Sequence, residues 1–170
     1  MYAKSLRLLW SQHVYWTRMF IISTVAGLDD LNEVTDRLLR NPNDFARLFS
    51  PVFGSNAAAK FDELLTEHLK IGGDLVNAAK NHETKKANEL RKQWYVNADE
   101  IACSLQSQSN CWQACKWKSM LYSHLEMTEK EAGLRIGGNY ASDIKLFDEI
   151  EAQALKMADY MLCGIADCCK

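Results

Sequence analysis

The chain has 170 residues, enough for one compact domain that buries about two-thirds of its unfolded surface. With 48% hydrophobic and 25% charged residues its composition is that of a soluble globular protein, and 8 glycines and 2 prolines leave little material for turns, which favours a few long helices. The net charge of -2 argues against a nucleic-acid-binding protein, because such proteins neutralise phosphates with an excess of Lys and Arg.

The N-terminal residues predict neither a membrane span nor an export signal. The longest apolar run, residues 19–26, is far too short to cross a bilayer, and Arg7, His13 and Arg18 precede it. The ordered charged, apolar and small-residue regions of a signal peptide are also missing. We therefore expect no membrane insertion and a cytoplasmic location, where the 6 cysteines stay reduced and form no disulfide framework.

The first predicted element is an amphipathic helix over "LRLLWSQHVYWT", residues 6–17, with a histidine on its apolar face. Large apolar residues lie seven, four and three places before His13 and three places after it, which is helical periodicity. After a turn signal at residues 26–30, a second apolar stripe contains the polar Asn41, and Pro42 predicts a break there. The apolar members of this second stripe are Val34, Leu38, Phe45 and Leu48.

The next two pairs of elements repeat this pattern. "FDELLTEHLKIG" (residues 61–72) and "WKSMLYSHLEMT" (residues 117–128) align with the first segment without gaps, and they place His68 and His124 at the same position. Turn signals follow at residues 80–84 and 137–139, and the stripes after them contain Asn97 and Glu151. The pattern predicts an all-α fold in one domain: an up-and-down helical bundle with a single core, built from three helical-hairpin repeats of about 55 residues, at approximately 1–52, 53–108 and 109–170.

Each histidine lies about thirteen residues before its turn, and the polar residue of the next stripe lies about eleven to fifteen residues after it. In an antiparallel hairpin the two therefore share a level, roughly 20 Å from the turn at about 1.5 Å per residue. We expect His13 to face Asn41, His68 to face Asn97, and His124 to face Glu151. Because an unpaired buried polar group costs several kcal/mol, these groups must pair with one another or hold a ligand.

A metal centre is one hypothesis for this layer. Three imidazoles and a carboxylate suit Fe, Mn, Co, Ni or Zn, and bundle cores often hold such ions, with redox or metal-handling chemistry. The expected ligands are His13, His68, His124 and Glu151. Nearby polar side chains could orient those ligands by hydrogen bonding, namely Asn41, Asn97, Asp99, Glu100, Thr17 and Thr128.

Two other hypotheses fit the same residues. The layer could form a pocket for a small anion or organic ligand in a non-enzymatic binding or interaction module. It could also be purely structural, with Asn41 serving as an N-cap before Pro42 and Glu151 turned to solvent while Ile150 fills the stripe. The residues name no reaction and no catalytic group, and they leave homo-oligomer formation open.

The cysteines form a second group of candidate residues. Cys103 is expected to end the fourth long helix, and Cys111 and Cys115 to begin the fifth as neighbours on one face. Cys163, Cys168 and Cys169 are expected to follow the sixth, so that all lie at one end of the bundle. A thiol metal or redox site would use Cys103, Cys111, Cys115 and Cys163, although cysteine is also a common small core residue. Residues 129–131 are expected to be a solvated helix face.

The three histidine segments, with "NADEIA" (residues 97–102) and "LFDEIEAQALKMAD" (residues 146–159), resemble an uncharacterised family of small bacterial helical proteins over nearly the whole chain. Its members sometimes carry the name acetylglutamate kinase, an activity that needs a larger α/β fold with glycine-rich phosphate loops, which nothing here resembles. The predicted bundle is also similar in outline to ferritin-like and hemerythrin-like proteins. The Glu-x-x-His, His-x-x-x-His and His-x-x-x-Glu spacings are missing from the sequence, so this likeness carries over no ligands.

Overall fold

A computed structural model describes residues 2–168 of the chain. They form seven helices and no strand, which confirms the all-α prediction. The helices are α1 (Tyr2–Ala26), α2 (Leu31–Leu39), α3 (Asn41–Phe53), α4 (Ser55–Lys80), α5 (Thr84–Gln106), α6 (Ala114–Ile136) and α7 (Tyr140–Cys168).

The helices pack as a closed ring around the core. Going around it, α1 contacts α7, then come α6, α5, α4 and α3, and α3 returns to α1, with α2 beside α1. Three of the connections are tight turns, and each contains one residue in the left-handed region, Gly27 (φ 65°), His82 (φ 59°) and Gly138 (φ 72°). These turns reverse the chain after α1, α4 and α6, as the turn signals predicted.

The predicted interruption of the second long helix lies at Arg40, between α2 and α3. Asn41 is the first residue of α3 rather than its N-cap, so the capping interpretation of Asn41 is wrong. Pro42 lies in the first turn of α3, where its missing N–H costs no helical hydrogen bond. The asparagine side chain is thereby free to reach across to α1.

The apolar core is divided into two clusters, whereas a single core was expected. The larger cluster includes Trp10, Phe61, Trp94 and Trp117, and draws on every helix except α2. The smaller one consists of Phe20, Ile21, Val34, Leu38, Leu69, Val76 and Ala132, near the three turns. The buried His13 and His124 lie among residues of the larger cluster along α1 and α6, and His68 lies between Leu65 of the larger cluster and Leu69 of the smaller one on α4. No helix within residues 2–168 is both long and apolar enough to cross a membrane.

A candidate ligand site at the histidine layer

The three histidines meet in the centre of the bundle, as their spacing predicted. His13, His68 and His124 are only 2%, 2% and 3% exposed. The ring centroids of His13 and His124 lie 5.6 Å apart, and all three rings border one cavity. The neighbouring helices hold them there because each histidine occupies the apolar stripe of its own helix.

Two of the histidines are held by the same hydrogen-bond arrangement. The Nδ1 of His13 lies 3.1 Å from Oδ1 of Asn41, and the Asn41 amide donates to the carbonyl of Leu9, four residues before the histidine. In the next hairpin, Nδ1 of His68 lies 2.9 Å from Oδ1 of Asn97, whose amide donates to the Leu64 carbonyl, again four residues earlier. The predicted pairs are therefore confirmed. Each asparagine side chain bonds both the histidine ring and a backbone carbonyl of the helix that carries this histidine.

The third histidine has a different partner from the one expected. Glu151 does not reach His124, since it accepts a hydrogen bond from Tyr15 near the surface. Gln153 takes the equivalent position, and its amide donates to the carbonyl of Met120, four residues before His124, at 2.7 Å. Residues 151 and 153 point to nearly opposite sides of α7, so only one of them can face the layer. The two residues flank the buried side of α7, which carries Ile150 and Ala154: Glu151 faces α1, and Gln153 faces α6 and its histidine.

The asparagine bonds also assign the protonation of the imidazoles. Each asparagine amide N–H₂ faces a carbonyl, so its Oδ1 faces the ring and the ring Nδ1 must donate. In His13 and His68, Nε2 is then the nitrogen with the free lone pair. Burial lowers the pKa of His13 to about 4 and that of His68 to about 3, and it lowers the pKa of His124 well below its usual value. All three imidazoles are therefore neutral near pH 7.

His124 is held less firmly than the other two. Its Nδ1 and the Oε1 of Gln153 are both buried without a hydrogen bond of standard geometry to any described residue. The Gln153 side chain nevertheless lies close enough to act on the ring, raising the pKa of His124 slightly against the stronger effect of burial. This contact therefore leaves one polar atom on each side poorly satisfied.

A cavity of about 130 Å³ extends from the imidazoles toward the turn end of the bundle. Its walls are mostly apolar and include Phe20, Leu69, Val76 and Trp94. From His124 to Gly133 along α6 the lining spans nine residues, about 13 Å at the helical rise. Gly133 is itself exposed to solvent, so the cavity runs from a polar inner end to a mouth at the surface.

Thr17 and Thr128 each lie four residues after a histidine, and both line the cavity. The Thr17 hydroxyl donates to the carbonyl of His13 at 2.8 Å. The Thr128 hydroxyl is buried and makes no hydrogen bond within the described part of the chain. The Nδ1 atom of His124, on the same helix, is likewise buried without a hydrogen-bond partner among the described residues. Unsatisfied polar atoms thus cluster at the inner end of an otherwise apolar cavity.

Comparison of the chain with protein-family models, curated proteins and solved structures finds no match. The resemblance to small bacterial helical proteins therefore stays a prediction. Within residues 2–168, no three or more His, Cys, Asp or Glu side chains are arranged to hold a metal ion.

The two acidic residues expected to orient the imidazoles lie elsewhere. Asp99 pairs with Lys118 at 2.9 Å and accepts a hydrogen bond from Tyr122, both on α6. Glu100 is exposed. Both residues are on the outward side of α5, because Asn97 and Ala98 occupy its buried side. Neither therefore contributes to the histidine layer.

A buried ionic cluster beside the cavity was missed by the sequence analysis. Arg18 of α1 donates to Glu131 of α6 and, at 2.7 Å, to Asp143 of α7. Glu131 is 1% exposed and Asp143 is 0% exposed, so the expectation that residues 129–131 are solvated is wrong for Glu131. Burial raises the pKa of Glu131 to about 7 despite the opposing effect of Arg18. The sequence gives no signal for this cluster, because its members are far apart along the chain.

The cysteines lie near one end of the bundle but do not form the expected group. α6 begins at Ala114, so Cys111 precedes it and is not a helical neighbour of Cys115. α7 continues to Cys168, so Cys163 lies inside the helix rather than after it. Cys103 and Cys115 are exposed, while Cys111 and Cys163 border one shallow surface groove. Cys169 lies outside the described residues.

Proposed function

We propose that this protein is a small-molecule-binding helical bundle whose ligand occupies the histidine cavity. One observation carries the proposal: three neutral imidazoles and the unpaired hydroxyl of Thr128 border a mostly apolar cavity. An apolar cavity with a few converging polar groups is the usual form of a ligand site. Buried polar groups are otherwise almost always hydrogen-bonded, so a cluster of unpaired ones favours an absent partner.

The cavity volume indicates the size of that ligand. An engineered apolar protein cavity of roughly 150 Å³ accommodates benzene, so about 130 Å³ suits a molecule of roughly six non-hydrogen atoms. The exposed Gly133 at the mouth provides a route of entry. None of the residues around the cavity forms a recognisable nucleophile and base pair, so we favour binding over catalysis.

The proposal is tested with short-chain probes of three charge types: n-butanol, n-butylammonium and n-butyrate. Histidine side-chain ¹⁵N NMR follows the imidazoles during each titration. At least one probe should bind saturably and shift all three imidazoles. Ala132→Leu, which fills the cavity from α6, should abolish that binding, whereas Ala152→Leu on the exposed side of α7 should not. Failure of every probe, or equal binding by both variants, would refute the proposal.

Metal binding by the Nε2 atoms of His13, His68 and His124 is the second candidate function. Metal-binding histidines commonly donate their other ring N–H to an oxygen acceptor, as His13 and His68 do here. Ligation would require the three Nε2 atoms to approach about 2 Å from a shared Fe, Mn, Co, Ni or Zn ion. Elemental analysis of untagged protein tests this: near-stoichiometric metal, lost on His68→Ala, supports it, and metal-free protein that takes up no added Zn²⁺ or Co²⁺ opposes it.

A further inference from the structure

We infer that the histidine cavity binds a small uncharged alcohol, held at the inner end by the hydroxyl of Thr128 and by one imidazole of the layer. The inference rests on the proposed function and names the chemical class of its ligand. The alcohol oxygen lies at the polar inner end of the cavity, and the hydrocarbon part lies along the apolar walls toward Gly133.

Thr128 provides the anchor, because its hydroxyl is buried but not used by the protein. Thr128 is 5% exposed, and its Oγ1 makes no hydrogen bond to any described residue. The equivalent threonine on α1, Thr17, donates to the carbonyl four residues earlier, that of His13, at 2.8 Å. Thr128 has the same relation to His124 but makes no such bond, so its hydroxyl remains able both to donate and to accept. An unsatisfied buried hydroxyl on the wall of a cavity favours a polar atom of a ligand.

The neighbouring imidazoles favour a ligand that donates a hydrogen bond. In His13 and His68 the Nδ1–H is directed at an asparagine oxygen, and the Nε2 lone pair points away from that asparagine. Both rings border the cavity. The indole N–H of Trp94, another lining residue, is already donated to the His68 carbonyl at 2.9 Å. A single alcohol O–H can donate to one imidazole while its oxygen accepts from Thr128, so only one ring has to lie within reach.

Charged ligands do not fit this lining. No Lys or Arg is among the described residues that border the cavity, so a carboxylate or phosphate would meet no cation. The carboxylate of Glu129 already pairs with Arg91 at 2.8 and 2.9 Å, so an ammonium group would meet no free anion. Burial lowers the pKa of all three imidazoles because it disfavours their charged form, and it penalises a charged ligand in the same way. An uncharged ligand avoids this cost.

The rest of the lining suits a short hydrocarbon chain. The side chains of Phe20, Leu69 and Trp94 contribute to its walls. Two adjacent glycines of α4 also line the cavity, and an added Cβ would lie 3.1 Å from the Trp94 ring at Gly72 and 3.2 Å from the Phe20 ring at Gly73. The glycines therefore let both rings pack closely against α4 and bound the space. A cavity of about 130 Å³ holds a molecule of the size of n-butanol.

The test compares n-butanol with its constitutional isomer methyl propyl ether by NMR titration of the wild-type protein. The two probes contain the same atoms, but only the alcohol can donate a hydrogen bond. We expect n-butanol to bind saturably and at least about tenfold more tightly than the ether, and n-butylammonium and n-butyrate not to bind saturably. The ¹⁵N signal of Nε2 in His13 or His68 should move further with the alcohol than with the ether.

Three variants test the anchor. Thr128→Val keeps the shape of the side chain and removes its hydroxyl, so n-butanol should bind several-fold more weakly. Thr17→Val makes the same change at the equivalent place on α1, where the hydroxyl is bonded to the backbone, and should leave the affinity nearly unchanged. Thr128→Ser keeps the hydroxyl and should retain binding. Equal affinity of Thr128→Val and Thr17→Val for n-butanol would overturn the role of Thr128.

The outcomes separate this inference from the proposed function. Binding of the ether as tight as that of n-butanol would overturn the alcohol assignment, because a donated hydrogen bond would then contribute nothing. Binding of n-butylammonium or n-butyrate as tight as that of n-butanol would overturn the selection of an uncharged ligand. Either result would leave a small-molecule site in the cavity. No binding by any of the four probes would overturn both the inference and the proposed function.

Discussion

Lowering the pH from 8 to 5 should destabilise the protein through its buried histidines. In the unfolded chain a histidine titrates near pH 6.5, whereas His13 and His68 in the fold have pKa values of about 4 and about 3. Between those values the unfolded state binds protons that the native state does not, so the free energy of unfolding falls as the pH falls. At pH 5, roughly 1.5 pH units below the unfolded pKa, each of these two histidines lowers the free energy of unfolding by about 2 kcal/mol. His124 acts in the same direction, because its pKa is also lowered by burial.

Glu131 opposes this trend. Its pKa in the fold is raised to about 7, so between pH 7 and its unfolded value of 4.5 the native state binds the extra proton. Protonation of that group adds roughly 2–3 kcal/mol of stability as the pH falls from 8 to 5. The two effects leave a net loss of roughly 2–4 kcal/mol at pH 5, a large part of the stability of a typical domain.

Urea unfolding at pH 8 and pH 5 measures this difference directly. His68→Gln should shrink the loss by about 2 kcal/mol, and Glu131→Gln should enlarge it by roughly 2–3 kcal/mol. Trp94→Phe removes the indole hydrogen bond to the His68 carbonyl but keeps every imidazole, so it should lower stability equally at both pH values. A pH dependence that is the same in wild type and His68→Gln would refute the buried neutral histidine layer.

The other predictions concern stability at pH 8, measured by thermal or urea unfolding. Gly164→Ala should cost at least about 3 kcal/mol, because the added Cβ would lie 2.0 Å from the ring of Trp112. In the control Gly133→Ala the added Cβ meets no atom, so this variant should stabilise α6 by up to about 1 kcal/mol. Equal effects of the two substitutions would contradict the packing around Gly164. Arg18→Met should cost about 3–5 kcal/mol at pH 8, because it leaves the buried Glu131 without a cation and Asp143 with Arg135 alone, at 3.3 Å. A loss below about 1 kcal/mol would show that the carboxylates are solvated. Asn97→Ala should cost about 2–4 kcal/mol, which is more than Gln153→Ala should cost. The reason is that the Asn97 side chain bonds both a histidine and a backbone carbonyl, whereas the Gln153 side chain bonds a carbonyl alone.

Part of the candidate site follows from local pattern alone. Helical periodicity places His13 and His68 on the apolar side of their helices, because 3.6 residues per turn decides which side each residue occupies. The turn signals then match each histidine with an asparagine at the same level of its hairpin. Both pairs form as predicted, with hydrogen bonds between the side chains. These relations depend only on distances along the chain.

The remaining features depend on how whole helices rotate and pack. The choice of Gln153 over Glu151 follows from the rotation of α7 about its axis, which its contacts with α1 and α6 determine. The ion pairs of Arg18 join residues more than a hundred positions apart, so no local pattern signals them.

The cavity arises in the same way. The sequence determined the helices, their buried sides and the polar layer, because helical periodicity and chain reversal are local properties. Only the tertiary structure decided that the layer borders a cavity of about 130 Å³, because empty space is what remains when the side chains of four or more helices fail to fill their common volume.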